Sequence, residues 1–402
     1  MKFLILNTDY PEFLLWLYSQ HPELENESYQ EQMQIRNESL FGVADFYSEN
    51  LRKLGHEAWD IHFNNRLMQK AWAKERGIQA RESTSALQEW RRLLRRGRRV
   101  VAKTPIRYFR SLFPPMSRAL YEDYRWFYDV LTAQIKYYDP DVLLNQDMVA
   151  IDVQLLRKMK LYTRLLVGQI ASPLPQKKDY ACYDLVISSL PNYVEYFRRI
   201  GVPSSLHRLA FEPRILSRLD SRRPEIPVSF VGNLSQYHRE RVHLLEHLCT
   251  QLSIKVWGPG LEYLPPDSPI HKRYMGQAWG IEMYQILSKS KIVVNQHSNI
   301  AESYANNMRL FEATGVGTLL VTDWKMNLHE MFEPGKELVA YRNPEECAEL
   351  TKYYLEHDKE REAIARAGQQ RTLLEHTYYQ RMHELEEIVE SFLSSSRVRG
   401  FT

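Results

Sequence analysis

The sequence predicts an α/β protein with two doubly wound, Rossmann-like domains, and three observations support this. Short apolar runs alternate with amphipathic helical patterns, which is typical of a parallel sheet covered by helices on both faces. The alternation occurs in both halves of the chain, and a segment rich in proline and charge, residues 212–227, separates them. At 402 residues the chain is also too long for one ordinary hydrophobic core. We therefore expect two domains, with a boundary near residue 219.

The first half begins with the apolar run of residues 3–7, which predicts a strand. Helical periodicity follows at residues 40–54 and ends at Gly55. The other elements predicted in this half are strands at 56–63, 141–146, 165–170, 184–188 and 206–211, and helices at 120–138 and 192–200.

The second half repeats the pattern from residue 228 onward. Its predicted strands are 228–231, 253–257, 291–295, 318–322 and 338–341. Its predicted helices are 238–250, 281–288, one that begins at about 306 and ends before Gly315, 328–331, 344–357, 359–372 and 378–393. No strand follows the last helix, so its apolar face must find a partner elsewhere.

Composition excludes several classes of protein. Hydrophobic residues make up 44% and charged residues 26%, and no apolar run approaches the roughly 20 residues that a membrane span requires. The apolar stretch at the N-terminus is too short for a signal peptide. Three cysteines without metal-type spacing predict reduced thiols in a cytoplasmic protein, with neither zinc nor disulfides. A net charge of +3 does not indicate a nucleic-acid partner.

Basic charge is nevertheless concentrated in one insertion, residues 77–118. No Asp or Glu occurs between residues 90 and 121. Besides the aromatic Trp90, Tyr108, Phe109 and Phe113, this stretch contains Arg91, Arg92, Arg95, Arg96, Arg98, Arg99, Lys103, Arg107 and Arg110. One interpretation is a solvated insertion whose arginines pair with acids elsewhere. The other is that residues 91–110 contact an acidic acceptor or an anionic membrane surface, which would make the protein peripheral to the inner membrane face. Nucleic acid is the least favoured partner.

Ligands of open α/β sheets bind at the carboxyl ends of the strands, so the loops there are the candidate sites. In the second half these loops are 232–235, 258–260 and 295–299. Gly232 permits close backbone approach, and the helix that starts near Arg239 offers free amides for a phosphate. The loop after residue 294 contributes Asn295 and His297, and both are candidate contacts for a sugar. The sequence contains neither GxGxxG nor a P-loop, so a dinucleotide cofactor and NTP hydrolysis are not predicted.

The helix in "NNMRLFEATGVGTLLVTD", residues 306–323, carries a conspicuous pair. At 100° per residue, Arg309 and Glu312 project from the same face. A carboxylate at a ligand cleft can accept both hydroxyl protons of a ribose, while the arginine holds an attached diphosphate. The alternative is an exposed ion pair worth a few tenths of a kcal/mol.

This segment, together with "VSFVGNLSQYHRERVHLLEHL" at residues 228–248, resembles the C-terminal lobe of the CgeB-like (spore maturation) glycosyltransferases, within the group 1 glycosyltransferases of GT-B fold. The resemblance covers about residues 228–389. It implies two Rossmann-like domains facing a cleft and transfer of a sugar from a nucleotide-diphosphate donor, most readily a UDP-sugar. No metal and no further cofactor are implied.

The resemblance also implies roles for individual residues. Glu312 would bind the ribose, and Arg309 and Asn307 would lie by the diphosphate. Gly232 and Asn233 would line the phosphate side of the cleft. The residues near the base would be Trp257, Gly258 and the segment 281–283.

One departure concerns the mechanism. Many group 1 enzymes have two glutamates eight positions apart, and here Tyr304 occupies the first of these positions. We therefore leave the stereochemistry open. An inverting enzyme would need a base from the first domain. Asp9 and Asp147 are candidates because each follows a predicted strand, although either could instead cap a helix.

The resulting prediction has three parts. Residues 1–218 form an N-terminal acceptor domain, residues 219–376 a nucleotide-sugar-binding domain, and residues 377–402 a helix that returns to the first domain. The predicted function is transfer of a sugar to a glycan, lipid-linked or protein acceptor. The alternatives are a nucleotide-sugar epimerase on the same fold and a non-catalytic protein that binds nucleotide sugars or anionic surfaces.

Overall fold

The computed structural model describes residues 1–78, 124–174, 179–220, 224–234 and 238–399. The chain divides into two compact units. The first comprises Met1–Ile170, Leu174–Ile187 and Phe197–Ser204, and the second Ala171–Pro173, Ser188–Tyr196 and Ser205–Thr402. The basic insertion predicted at 77–118 lies outside the described residues from residue 79 onward. The return of residues 377–402 to the first domain stays a prediction.

A six-stranded sheet organises the N-terminal half, with strand order β2-β1-β3-β4-β5-β6. Its strands are β1 (Lys2–Asn7), β2 (Glu57–His62), β3 (Val142–Asn145), β4 (Leu165–Gln169), β5 (Leu185–Ser188) and β6 (Ser204–Leu206). The helices of this part are α1 (Pro11–Gln20), α2 (Tyr29–Glu38), α3 (Phe46–Lys53), α4 (Arg66–Glu75), α5 (Tyr124–Tyr138), α6 (Val153–Met159) and α7 (Pro191–Arg199). The central strand β1 is almost wholly apolar, and the side chains of residues 3–6 have no exposed surface. Burial on both faces explains this continuous apolar run.

A second six-stranded sheet has the order β12-β11-β10-β7-β8-β9. Its strands are β7 (Ile226–Val231), β8 (Ile254–Trp257), β9 (Tyr274–Gly276), β10 (Ser290–Asn295), β11 (Leu319–Asp323) and β12 (Val339–Tyr341). The helices are α8 (Arg239–Gln251), α9 (Ile281–Ser288), α10 (Met308–Gly315), α11 (Pro344–Glu356), α12 (Asp358–Glu375) and α13 (Tyr378–Arg399). In both sheets the registered strand pairs are parallel, so the carboxyl ends of these strands lie along one edge of each sheet.

Helices α8 and α11 cover one face of this second sheet and bury a continuous apolar core. Leu244, Leu245 and Leu248 of α8 pack in that core with strand residues such as Val228 and Ile292. Helix α10 packs against α9 and α12 instead. Helix ends follow local rules as well: Asn343 caps α11, whose first residue is Pro344. None of the helices in the described part of the chain combines the length and apolar character that a membrane span needs.

Two predicted elements of the first half were wrong in extent. The strand predicted at 206–211 is β6, which ends at Leu206. The apolar residue Phe211 instead lies against Gly315 of α10, so its burial reflects packing outside the sheet. The helix predicted at 40–54 begins only at residue 46, because Leu40 and Ala44 adopt positive φ and break the helix before it. Helices α1, α2, α4 and α6 and the edge strand β9 were not predicted.

Candidate functional site

Two loops at the carboxyl edge of the second sheet are joined by a buried arginine. Gly232 and Asn233 follow β7, and Gln296 follows β10. Arg241, in the first turn of α8, donates from Nη1 to the carbonyl oxygen of Asn233 at 2.9 Å. It also donates from Nη2 to the carbonyl oxygen of Gln296 at 3.0 Å. One guanidinium therefore fixes the spacing of both loops.

Arg241 keeps its charge in a setting that disfavours it. The residue is 8% exposed. Burial lowers the pKa of its guanidinium to about 10, and repulsion from Arg309 acts in the same direction, whereas attraction to Asp323 opposes the shift. It remains protonated at neutral pH. No carboxylate lies within ion-pair distance of it among the residues that the structure describes, and its Nε has no hydrogen-bond partner there. Such a buried cation is costly unless an anion compensates it.

Arg241 was missed at the sequence level, where Arg239 was chosen instead. Arg239 is exposed and lines a cavity of about 500 Å³ at the ends of β10, β11 and β12, which we call the β10–β12 cavity. A signal for Arg241 was present in the sequence: it precedes Leu244, Leu245 and Leu248 by three, four and seven positions. It is therefore a cation on the apolar stripe of its helix.

The predicted Arg309–Glu312 pair is present, and it is buried. Arg309 Nη1 lies 2.7 Å from Glu312 Oε2, and the two side chains are 11% and 6% exposed. Arg309 Nη2 donates to the carbonyl oxygen of Val231 at 3.0 Å, so the pair is anchored at the end of β7. The hydroxyl of Tyr284 donates to Glu312 Oε1 at 3.3 Å. These contacts exclude the alternative of an exposed surface ion pair.

The first turn of α10 is tied to the end of β10 by two asparagines. The side-chain oxygen of Asn307 accepts from the backbone amide of Arg309 at 2.7 Å, which caps the helix. Its side-chain amide donates to Asn295 Oδ1 at 2.9 Å, while Asn295 Nδ2 donates to Thr322 Oγ1 at 2.9 Å. Both ends of the Asn295 side chain are therefore engaged. Its contacts support a role in positioning α10 rather than in binding a sugar directly.

His297 is held by a single carboxylate oxygen. Asp323 Oδ1 accepts from the backbone amide of His297 at 2.9 Å and lies 2.6 Å from its Nδ1. Burial alone would raise the pKa of Asp323, but the charge and hydrogen bonds of His297 outweigh burial and hold that pKa below its usual value. His297 Nε2 is buried and has no hydrogen-bond partner among the described residues. The pair thus fixes the ring and leaves one nitrogen uncommitted.

Of the residues predicted near the base, Trp257 and Gly258 lie at the end of β8, and residues 281–283 form the first turn of α9. Trp257 is 8% exposed, and its carbonyl oxygen accepts from the amide of Gly232 at 3.0 Å. Gly258 has φ +138°, and a Cβ on it would lie 1.9 Å from the carbonyl oxygen of Gly232. Only glycine satisfies both the backbone conformation and this close approach. The structure therefore brings Gly232 and Gly258 into direct contact.

The two carboxylates proposed as a general base have unequal surroundings. Asp9 is fully buried in the first unit, with Arg36 Nη2 2.5 Å from its Oδ1 and His62 Nδ1 3.2 Å from its Oδ2. Burial opposes ionisation, but Arg36 and His62 together bring the pKa of Asp9 well below its ordinary value. A carboxylate with such a low pKa is a poor proton acceptor. This environment argues against Asp9 as the base, because its charge is already committed to structural partners.

Asp147 is half-buried at the end of β3. Its Oδ1 accepts from the amides of Val149 at 2.9 Å and Ala150 at 3.0 Å, and its Oδ2 accepts from the hydroxyl of Thr8 at 2.9 Å. These bonds cap the turn at residues 148–150 and not a helix, because the N-cap of α6 is Asp152. No ion-pair partner of Asp147 is present within the described ranges, whereas Asp9 is paired with Arg36.

Removal of Arg36 should destabilise the first unit strongly. Arg36→Ala removes the arginine partner of the buried Asp9 carboxylate and leaves only His62 beside it, and we expect a loss of about 3 to 5 kcal/mol in the free energy of unfolding near neutral pH. The folded pKa of Asp9 lies below the ordinary 3.8, so this contribution is complete above that value and is lost as the pH falls below it. Denaturant unfolding of both proteins at several pH values measures the difference.

Arg157→Ala is the matched control, because Arg157 forms an exposed ion pair with Asp179 in the same unit, with side chains 64% and 42% exposed. It should cost less than about 1 kcal/mol. A loss for Arg36→Ala that is equally small, or one that does not decrease in acid, would contradict the structural role of the buried pair.

Comparisons with known proteins identified a matching family model and similar solved structures. Residues 214–387 match the model of the glycosyl transferase-like family. A search of curated proteins found no match. Among solved structures, a glycosyltransferase from Rickettsia africae aligns with 10% identity and a TM-score of 0.56, covering 98% of each chain.

Two further solved structures are similar over nearly the whole chain. Anabaena Alr3699/HepE in complex with UDP-glucose aligns with 12% identity and a TM-score of 0.56, covering 97% of this chain and 100% of that one. AviGT4, a glycosyltransferase of avilamycin A biosynthesis, aligns with 12% identity and a TM-score of 0.53, covering 98% of each chain. At this identity the likeness concerns the fold. It confirms the predicted class, an α/β protein with two parallel sheets of the GT-B type.

Proposed function

We propose that this protein is a glycosyltransferase that uses a UDP-sugar donor, bound at the carboxyl edge of the second sheet. The observation that carries the proposal is the pair of buried arginines, Arg241 and Arg309, at the end of β7. Of the two, only Arg309 has a carboxylate partner, Glu312, among the described residues. The site therefore has an excess of buried positive charge that a diphosphate would neutralise.

The remaining contacts fit the other parts of such a donor. Glu312 is oriented by Arg309 and Tyr284, and its carboxylate can accept hydroxyl protons of the ribose. Gly232 allows a phosphate to approach the backbone closely. His297, with Nε2 uncommitted, is a contact for the transferred sugar. The UDP-glucose complex of Anabaena Alr3699/HepE, a structural neighbour, favours uridine as the base. The motifs at residues 228–248 and 306–323 support assignment of this protein to the CgeB-like subgroup of glycosyltransferases.

In the transfer step, the bond between the anomeric carbon and the diphosphate breaks, and negative charge accumulates on the leaving oxygen. Arg241 and Arg309, already positioned by carbonyl oxygens, would stabilise that charge without reorganising. The acceptor oxygen forms the new bond to the anomeric carbon, UDP leaves, and the hydroxyl proton passes to a general base, for which Asp147 is the better of the two carboxylate candidates. Donor turnover in excess chelator should therefore persist, because the arginines supply the positive charge.

Donor turnover tests the proposal directly. The full-length protein is incubated with UDP-glucose, UDP-galactose, UDP-N-acetylglucosamine and GDP-mannose, and the release of free nucleoside diphosphate is followed. We expect slow release from at least one UDP-sugar, and stabilisation of the protein by UDP in thermal unfolding. Conversion of the sugar without release of UDP would identify an epimerase instead. Absence of both stabilisation and release with all four donors would overturn the proposal.

Substitution of Arg241 should lower the affinity for UDP far more than the affinity for uridine. Arg241→Gln removes the charge, and the loss of charge-assisted hydrogen bonds to a phosphate costs about 1.5 to 3 kcal/mol, or roughly 10- to 150-fold in affinity. Uridine lacks the diphosphate, so its affinity should change little. Calorimetric titration of both ligands measures the two effects.

The control is Arg366→Gln, which removes an arginine whose side chain is 68% exposed in the same unit. It should leave both affinities unchanged. Equal weakening of UDP and uridine by Arg241→Gln would instead indicate that Arg241 only maintains the loops.

A further inference from the structure

The β10–β12 cavity is large enough for a ligand of its own. Its volume of about 500 Å³ lies within the roughly 300 to 1,000 Å³ typical of small-molecule sites. It lies beside the proposed donor site, since Asp323 both lines the cavity and holds His297, and Gln296 both lines it and accepts from Arg241. Neither Arg309 nor Glu312 lines it.

One wall of the cavity presents an exposed aromatic ring. Trp324, directly after β11, is 48% exposed, although its backbone amide donates to the carbonyl oxygen of Tyr341 at 2.7 Å. A half-exposed indole surrounded by polar groups is a surface that the apolar face of a sugar ring can cover. Gln296 lines the same cavity, and its Oε1 has no hydrogen-bond partner in the described part of the chain. An aromatic face with amide groups around it suits a polyhydroxylated ligand.

The charges around the cavity leave positive charge uncommitted. Its two acids are engaged, Asp323 by His297 and Lys325, and Glu240 by the side-chain amide of Asn299 at 3.3 Å. Four basic residues line it: Arg239, His243, Lys325 and Arg342. Within the described ranges, Arg239 and His243 have no ion-pair or side-chain hydrogen-bond partner. Arg342 forms an exposed ion pair with Glu346, with Nη1 3.7 Å from Oε1. This balance favours an anionic ligand.

We propose that the β10–β12 cavity binds a carbohydrate that carries a carboxylate or phosphate group. The inference rests on the proposed function and specifies its substrate class: either the transferred sugar or the acceptor is an acidic carbohydrate. Trp324 stacks on the ring, and Arg342 with Arg239 binds the charged group.

The test measures binding of defined probes to the full-length protein by calorimetry. The probes are glucuronate, glucose 6-phosphate, glucose and inorganic phosphate, each titrated into the millimolar range. We expect the two charged sugars to bind more tightly than glucose or phosphate alone. Trp324→Ala and Arg342→Gln should each lower the affinity for the charged sugars by about tenfold or more. Each should change the affinity for UDP by less than about twofold.

Tyr379→Ala is the control, because Tyr379 is a half-exposed aromatic residue of α13 that does not line the cavity. It should alter neither affinity. Failure of both charged sugars to bind while UDP still binds would overturn the inference and leave the proposed function intact. Phosphate binding as tight as that of glucose 6-phosphate, or charged-sugar binding unaffected by Trp324→Ala, would also overturn it. If the charged sugars bind through Trp324 but no nucleotide binds, the proposed function fails and the carbohydrate site stands.

Competition separates the two sources of the carbohydrate. If UDP-glucose displaces glucose 6-phosphate and UDP does not, the cavity receives the transferred sugar. If glucose 6-phosphate binds together with UDP-glucose, the cavity receives the acceptor.

Discussion

Glu312→Gln is expected to reduce the affinity for UDP by about 10- to 100-fold, equivalent to about 1.4 to 2.8 kcal/mol. The substitution preserves the size of the side chain but removes the charge that accepts hydroxyl protons from the ribose. Calorimetric titration of UDP into both proteins provides the measurement. Glu349→Gln, at an exposed position of α11 in the same unit, is the matched control and should bind UDP normally.

A second ligand separates ribose binding from damage to the fold. Wild-type protein should prefer UDP to 2′-deoxy-UDP, because the deoxy compound lacks one of the two hydroxyls. Glu312→Gln should lose most of that preference. A general disturbance of the fold would instead lower the affinity for both ligands equally. If the variant discriminates between the two nucleotides as well as wild type does, Glu312 does not bind the ribose.

Stability must be followed in the same variant, because Arg309 depends on Glu312. Removing one partner of a buried ion pair leaves the other charge unpaired and commonly costs about 3 to 5 kcal/mol. Arg309 also donates to the carbonyl oxygen of Val231, which will hold part of its position. Circular dichroism of the variant at the titration temperature therefore establishes that the binding measurement is made on folded protein.

Gly258→Ala is expected to destabilise the second unit by about 3 kcal/mol or more. The new Cβ would lie 1.9 Å from the backbone carbonyl oxygen of Gly232, and because the backbone fixes the position of a Cβ, no side-chain rotation can relieve the overlap. The φ of +138° adds conformational strain. Because the protein has two units, hydrogen exchange of β7 and β8 is a better measurement than a single global transition.

Gly276→Ala separates the effect of backbone strain from the effect of steric overlap. Gly276 has φ +114°, and no atom lies within 4 Å of the position a Cβ would occupy. Its substitution should cost about 1 to 2 kcal/mol, the price of the backbone conformation alone. If the backbone amides of β7 and β8 exchange at the same rate in the two variants, the close contact between Gly232 and Gly258 does not hold these strand ends together.

Much of the second unit was predictable because its elements follow local rules. Strands β7, β8, β10, β11 and β12 begin and end within two residues of the predicted bounds, since buried parallel strands are short continuous apolar runs. The contact between Arg309 and Glu312 also follows from local spacing on a helix. The first half was harder. Its additional helices α1, α2, α4 and α6 depend on turns and caps whose signal is weak in a single sequence.

Sequence alone determined the α/β class, the two sheets and the placement of polar loops at the strand ends, because these follow from periodicity within short windows. Tertiary structure decided which charges are buried and what compensates them. Arg241 proved to be the buried cation at the strand ends and Arg239 an exposed one, although both lie in the first turn of α8. The carboxylate of Asp9, proposed as a base, pairs with Arg36, which is 27 positions away in the chain. A side chain's charge state and accessibility depend on all the groups that folding brings near it, and periodicity carries no information about groups so distant in sequence.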